Sequence, residues 1–134
     1  MKRDLCLAGI AAFLLAAGCS SLPGGITVQD PWVRGAMVPG GNAAGYMVIR
    51  NGGPSDDALL EVRSEIAEAT ELHQTVHMEG DMAGMEPVAR LDILAGEQVA
   101  LEPGGYHIML IGVDESIEPG ATVTLTLIFE QAGE

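Results

Sequence analysis

The chain has 134 residues, a formal net charge of −13 and 19% charged residues. This length suits one domain, and a mean hydropathy of +0.27 excludes a disordered polypeptide, which would combine low hydropathy with high net charge. Because only six side chains are basic, a protein that neutralises many nucleic-acid phosphates is also excluded.

The N-terminus has the pattern of a lipoprotein signal peptide. A basic start precedes thirteen apolar residues, 5–17, which are too few for a membrane-spanning helix of about 20 residues. Residues 15–19 resemble a bacterial lipobox, where the chain is cut before a cysteine that then carries lipid. We therefore expect a signal peptide at 1–18, lipidation of Cys19, a flexible tether at 19–25 and a domain at 26–134. The mature protein would be periplasmic or at the cell surface; secretion without lipid is the alternative.

Residues 26–134 are predicted to form an all-β domain. Proline and glycine clusters mark turns between short runs of strand-forming residues. In chain order, the predicted strands are 26–29, 32–34, 43–50, 58–63, 69–77, 98–101, 106–113 and 122–129. Residues 64–70 are expected to supply one helical turn. About eight short antiparallel strands indicate a sandwich or a barrel.

A cluster of histidines and methionines is the candidate functional site. All three histidines and four of the six methionines that follow the signal lie within residues 73–109. His107 and Met109 are two residues apart in a predicted strand, so their side chains share one face. Imidazole with thioether favours Cu(I) over Zn²⁺, Mg²⁺ or Ca²⁺. Core packing is the alternative for any methionine, and it is the interpretation for Met37 and Met47.

Three segments of this cluster resemble the periplasmic copper chaperones of the PCu(A)C family. The segments are 71–73 (Glu-Leu-His), 82–88 (Met-Ala-Gly-Met-Glu-Pro-Val) and 103–110 (Pro-Gly-Gly-Tyr-His-Ile-Met-Leu). The family separates a methionine from a His-x-Met motif by 21 residues, as Met85 is separated from His107 here. The resemblance extends over residues 26–129 and includes 32–34 and 44–51.

The resemblance implies a cupredoxin-like Greek-key β-sandwich that binds one Cu(I) per domain. It implies His73, Met85, His107 and Met109 as the ligands, with Met82 and His77 as alternates. It also implies a chaperone, not an enzyme, that carries copper to cytochrome c oxidase assembly. The expected acceptor is a Sco-like thioredoxin-fold protein or the oxidase copper-A subunit.

Two other functions stay open on the residues alone. One is a metal-free, lipid-anchored interaction module, and the other is general periplasmic copper buffering or tolerance. A blue-copper electron-transfer protein is disfavoured, because its site needs a cysteine thiolate and Cys19 is the only cysteine after the signal.

Overall fold

The structure is a computed structural model that describes residues 24–134. The predicted signal peptide, Cys19 and residues 20–23 of the predicted tether lie outside the described residues. The strands are β1 (Ile26–Arg34), β2 (Ala43–Asn51), β3 (Asp57–Arg63), β4 (Ala67–Met78), β5 (Met82–Pro87), β6 (Leu91–Ile93), β7 (Gln98–Leu101), β8 (Tyr106–Val113) and β9 (Thr126–Phe129). Among residues 24–134 there is no helix with the length and apolarity that crossing a bilayer requires.

The strands form two sheets that pack over one core. The large sheet has the order β1-β2-β7-β8-β4-β5, and the small sheet has the order β6-β3-β9. All pairings are antiparallel except the short β7–β8 contact. Leu72, Ile108 and Leu110 of the large sheet are buried in the same cluster as Leu59 and Phe129 of the small sheet. Because strand residues alternate, the neighbours of these core residues in β4 and β8 lie on the outer face of the large sheet.

The prediction of an all-β sandwich is confirmed, with differences in single elements. Predicted strands 26–29 and 32–34 are one strand, β1, whose pairing with β2 is irregular between Gln29 and Trp32. The helical turn expected at 64–70 is wrong: pairing with β8 draws this segment into β4, which begins at Ala67. In both cases the physical reason is hydrogen bonding to a neighbouring strand, which overrides the conformational preference of the local sequence.

Two further differences concern strand ends and missed strands. Residues 122–125 alternate as a strand should, yet β9 begins only at Thr126, because its partner β3 ends opposite it at Arg63. Strands β5 and β6 are not among the predicted strands. The sequence of β5, Met-Ala-Gly-Met-Glu-Pro, lacks β-branched residues, and its pairing with β4 supplies what local preference does not.

The two methionines assigned to packing have different surroundings. Met47 is buried in the core, as predicted, but Met37 is 90% exposed, so its assignment to the core is wrong. Met37 follows β1 in a segment of bends and turns at residues 37–40, where no neighbouring strand covers it.

Candidate metal site

Three neighbouring strands, β8, β4 and β5, carry the four predicted ligands. His73 of β4 lies directly opposite His107 of β8. Met85 of β5 lies opposite Thr75, which is two residues from His73. Directly opposed residues and residues two apart share a face of a sheet. His73, Met85, His107 and Met109 therefore all lie on the outer face of the large sheet.

The two alternates, Met82 and His77, are placed differently. Met82 is opposite Met78, so both lie on the other face of the sheet from Met85. His77 shares the face of His73 but is four residues further along β4, about 13 Å at the usual rise of a strand. The register thus brings Met85 to the histidines and leaves Met82 and His77 apart from them.

The two histidines form a close pair with little exposure to solvent. Their ring centroids are 5.8 Å apart with the planes inclined by 56°. His107 is 4% exposed, and the side chain of His73 is 12% exposed. The alternation of β8 alone would place His107 at the surface. The ring of His73 and the ring of Tyr46 flank His107 and contribute to its burial. The centroid of the Tyr46 ring is 6.5 Å from that of His107.

Each imidazole has one nitrogen held by an oxygen acceptor. His73 Nε2 is 2.7 Å from Oε2 of Glu71, and His107 Nδ1 is 3.3 Å from the carbonyl oxygen of Gly105. Because a carboxylate and a carbonyl only accept, a neutral imidazole in each of these contacts would carry its proton on the nitrogen named here. The other nitrogens, His73 Nδ1 and His107 Nε2, are buried and have no hydrogen-bond partner among the described residues. Their lone pairs are available to a metal ion.

A pocket of about 230 Å³ connects the two methionines with one histidine of this pair. Met85, His107 and Met109 all line it. Its other lining residues are Arg34, Gly35, Asn42, Ala43, Ala44, Tyr46, Thr75, Pro103 and Gly104. Three larger cavities, of about 810, 820 and 280 Å³, lie elsewhere among the described residues, and none of them is lined by a histidine. The histidine and methionine side chains of its lining, and not its volume, distinguish this pocket as the candidate metal site.

An aromatic wall borders the site on the β1 and β2 side. The rings of Trp32 and Tyr46 pack with centroids 4.5 Å apart and planes inclined by 33°, and the Arg34 guanidinium lies 5.7 Å from the centre of the Tyr46 ring. None of these three residues is among the predicted site residues. The register could have revealed Tyr46, because Ala44 pairs with Met109 and Tyr46 is two residues from Ala44 on the same face.

Glu71 is also absent from the predicted site residues. It lies two residues before His73 and directly opposite Met109, so it shares the outer face with both. The Glu-x-His spacing within a predicted strand is a signal for this contact that the sequence does contain.

The donor set favours a soft metal ion. Within residues 24–134, no group of three or more His, Cys, Asp or Glu side chains is arranged to hold a metal. The thioethers of Met85 and Met109 lie on the same face of the sheet as the His73–His107 pair and line the same pocket as His107, so they are the candidate donors beside the two imidazoles. Thioether ligands select Cu(I) over Zn²⁺ and over the oxygen-seeking Mg²⁺ and Ca²⁺.

Comparisons with known proteins identify the family of this chain. The model of the family described as "Putative lipoprotein LpqE-like" matches residues 26–134. A protein of Leifsonia xyli subsp. xyli, named "Putative lipoprotein Lxx21020", is 33% identical over 132 residues, which cover 90% of this chain and 78% of that protein.

Solved structures of copper-related domains share the fold. The apo PCuAC domain from PmoF1 has a TM-score of 0.68 and 26% identity, and the match covers 81% of this chain and 85% of that domain. The solution structure of CuI-DR1885 from Deinococcus radiodurans has a TM-score of 0.59 and 30% identity, over 87% of this chain and 76% of that one. The predicted resemblance and the cupredoxin-like fold are confirmed, and the chain belongs to the LpqE-like family of PCu(A)C-type proteins.

Proposed function

We propose that this protein binds one Cu(I) through His73, Met85, His107 and Met109 and carries it to an acceptor protein. The observation that carries the proposal is the pair of buried imidazole nitrogens, His73 Nδ1 and His107 Nε2, that lack a hydrogen-bond partner among the described residues. A buried polar atom left unpaired costs about 1–3 kcal/mol, and coordination to Cu(I) would remove that cost. The DR1885 relative, solved as its CuI form, supports copper as the cargo.

The exposure of the four ligands suits a carrier. The histidine side chains are nearly buried, whereas Met85 is 58% exposed. An incoming thiolate can therefore displace Met85 first while both imidazoles still hold the ion. Thioether is neutral and thiolate is negatively charged, so Cu(I) would move from this site to a cysteine-bearing acceptor. We expect that acceptor to be a Sco-like thioredoxin-fold protein or the oxidase copper-A subunit, in the assembly of cytochrome c oxidase.

Export and lipid anchoring belong to the same proposal. The family description and the name of the Leifsonia xyli relative both contain the word lipoprotein. This supports cleavage after residue 18 and lipidation of Cys19, which would hold the domain at a membrane surface in the periplasm or on the cell exterior. Globomycin, which blocks lipoprotein signal cleavage, should then cause a form that still carries residues 1–18 to accumulate.

A competition titration tests the binding step. The purified domain, residues 26–134, should withdraw Cu(I) from a chromophoric chelator with a one-to-one end point under reducing conditions. His107→Ala should abolish that competition, and Met37→Leu should leave it unchanged because Met37 is 90% exposed and outside the site pocket. Absence of competition by the wild-type domain would refute copper binding and favour the metal-free interaction module.

A gene deletion separates oxidase assembly from general copper buffering. Loss of a delivery protein should lower oxidase activity at limiting copper, with recovery when copper is added. Loss of a buffering protein should instead raise sensitivity to excess copper and leave oxidase activity intact. Complementation with the Met109→Leu variant ties either phenotype to the proposed site.

A further inference from the structure

We propose that Glu71 is a positioning residue that prepares His73 to bind Cu(I) through Nδ1. This inference rests on the proposed function, since it concerns the same site. Glu71 Oε2 lies 2.7 Å from His73 Nε2, the shortest contact that either histidine makes with a hydrogen-bond partner. The two residues are two apart in β4, so the contact lies on the outer face of the sheet that carries the site.

The carboxylate selects one tautomer of His73. A neutral imidazole has a single N–H, and an ionised carboxylate can only accept a hydrogen bond. Glu71 therefore holds the proton on Nε2 and leaves the lone pair on Nδ1, the buried nitrogen that has no partner within the described part of the chain. If the proton were on Nδ1 instead, His73 would present an N–H where the metal has to bind.

The same contact restrains the orientation of the ring. Rotation of the imidazole by half a turn would move Nε2 away from the carboxylate and put a carbon where Nδ1 now lies. The charged hydrogen bond opposes that rotation before any metal arrives. His107 has the corresponding support from the carbonyl oxygen of Gly105, but at 3.3 Å and from a neutral acceptor. Glu71 is thus the stronger of the two supports.

The position of Glu71 also distinguishes it from Glu68, the other acidic residue of β4. Its side chain is 49% exposed, and it lies directly opposite Met109, beside two of the proposed ligands. Glu68 is on the same strand but differs from Glu71 by three residues, which places it on the opposite face. Glu68→Ala therefore removes the same charge from the same strand without touching the site.

Cu(I) affinity and the histidine tautomer together test this role. Outer partners of metal-bound histidines contribute 10–100-fold to affinity in other proteins, so Glu71→Ala should weaken Cu(I) binding by about 10–100-fold. Glu71→Gln keeps an oxygen acceptor and should restore most of the affinity, while Glu68→Ala should change it less than about twofold. In the copper-free protein, ¹⁵N NMR should find the His73 proton on Nε2 in the wild type and a mixture of tautomers in Glu71→Ala.

The possible results separate this inference from the proposed function. Wild-type Cu(I) binding combined with unchanged affinity of Glu71→Ala would overturn the positioning role alone. A proton on Nδ1 of His73 in the copper-free wild type would do the same. If the wild-type protein binds no Cu(I), the proposed function fails, and the role of Glu71 toward copper fails with it, even where NMR finds the proton on Nε2.

Discussion

Replacing Met85 with leucine removes one thioether sulfur from the proposed site and changes little else. Leucine is close to methionine in volume, and such swaps are well tolerated even in cores. Met85 is 58% exposed, so we expect the free energy of unfolding of the copper-free protein to change by no more than about 0.5 kcal/mol. Any larger effect on copper binding then reports on the sulfur itself.

The register of β4 and β5 supplies a matched control. Met82 is three residues from Met85 in the same strand and is 62% exposed, but it lies on the opposite face, opposite Met78. Met82→Leu makes the same chemical change at a similar exposure. The two variants differ in whether the sulfur faces the His73–His107 pair.

Residues that hydrogen-bond to metal ligands contribute about 10–100-fold to metal affinity, which is about 1.4–2.7 kcal/mol. A direct ligand should contribute at least as much, so we expect Met85→Leu to weaken Cu(I) binding by that amount or more. Met82→Leu should stay within about twofold of wild type. The measurement is a competition titration against a chromophoric Cu(I) chelator, with thermal unfolding of both copper-free variants as the folding control. Equal losses in both variants, or a loss only in Met82→Leu, would refute the face assignment.

Three further predictions concern stability. Cu(I) at 100 times its dissociation constant should stabilise the wild type by about 2.7 kcal/mol, seen as a higher unfolding temperature that is absent in His107→Ala. Leu110→Ala should cost about 2–5 kcal/mol in urea unfolding, because Leu110 is 0% exposed in the core. Burial raises the pKa of Asp57, but hydrogen bonds from three backbone N–H groups outweigh it and hold the pKa below its usual 3.8. Those donors are Ala58, Gln131 and Ala132. The stabilisation by Asp57 is therefore present above pH 3.8 and is lost as the pH falls through the lower folded value. Asp57→Asn should cost about 1–3 kcal/mol at pH 7, and the difference from wild type should shrink in acid unfolding below pH 3.8. A constant difference across that range would contradict the assignment.

Local patterns predict the parts of the site that lie within one strand. The His-x-Met spacing of His107 and Met109 places both side chains on one face wherever β8 pairs, and the structure has them there. The same alternation predicts that Leu72 and His73 point in opposite directions, one to the core and one to the site. These relations depend only on the two-residue period of a strand.

The relation between strands depends on register, which the spacing of residues does not determine. Whether Met82 or Met85 joins the histidines is decided by the turn between β4 and β5, where Gly80 and Asp81 have φ values of 83° and 58°. If the pairing of β5 with β4 slipped by one residue, so that the loop between them became one residue shorter, Met85 would lie on the opposite face of the sheet. The aromatic wall of Trp32 and Tyr46 likewise needs the pairing of β1 with β2.

X-ray absorption at the copper edge of the Cu(I)-loaded protein reports directly on the proposed ligands. Coordination by His73, Met85, His107 and Met109 predicts two nitrogen and two sulfur scatterers around one copper per domain. Met109→Leu should remove one sulfur and leave the two imidazoles. If only nitrogen and oxygen atoms, and no sulfur, are bonded to copper in the wild type, that result would contradict a thioether site on the outer face of the large sheet.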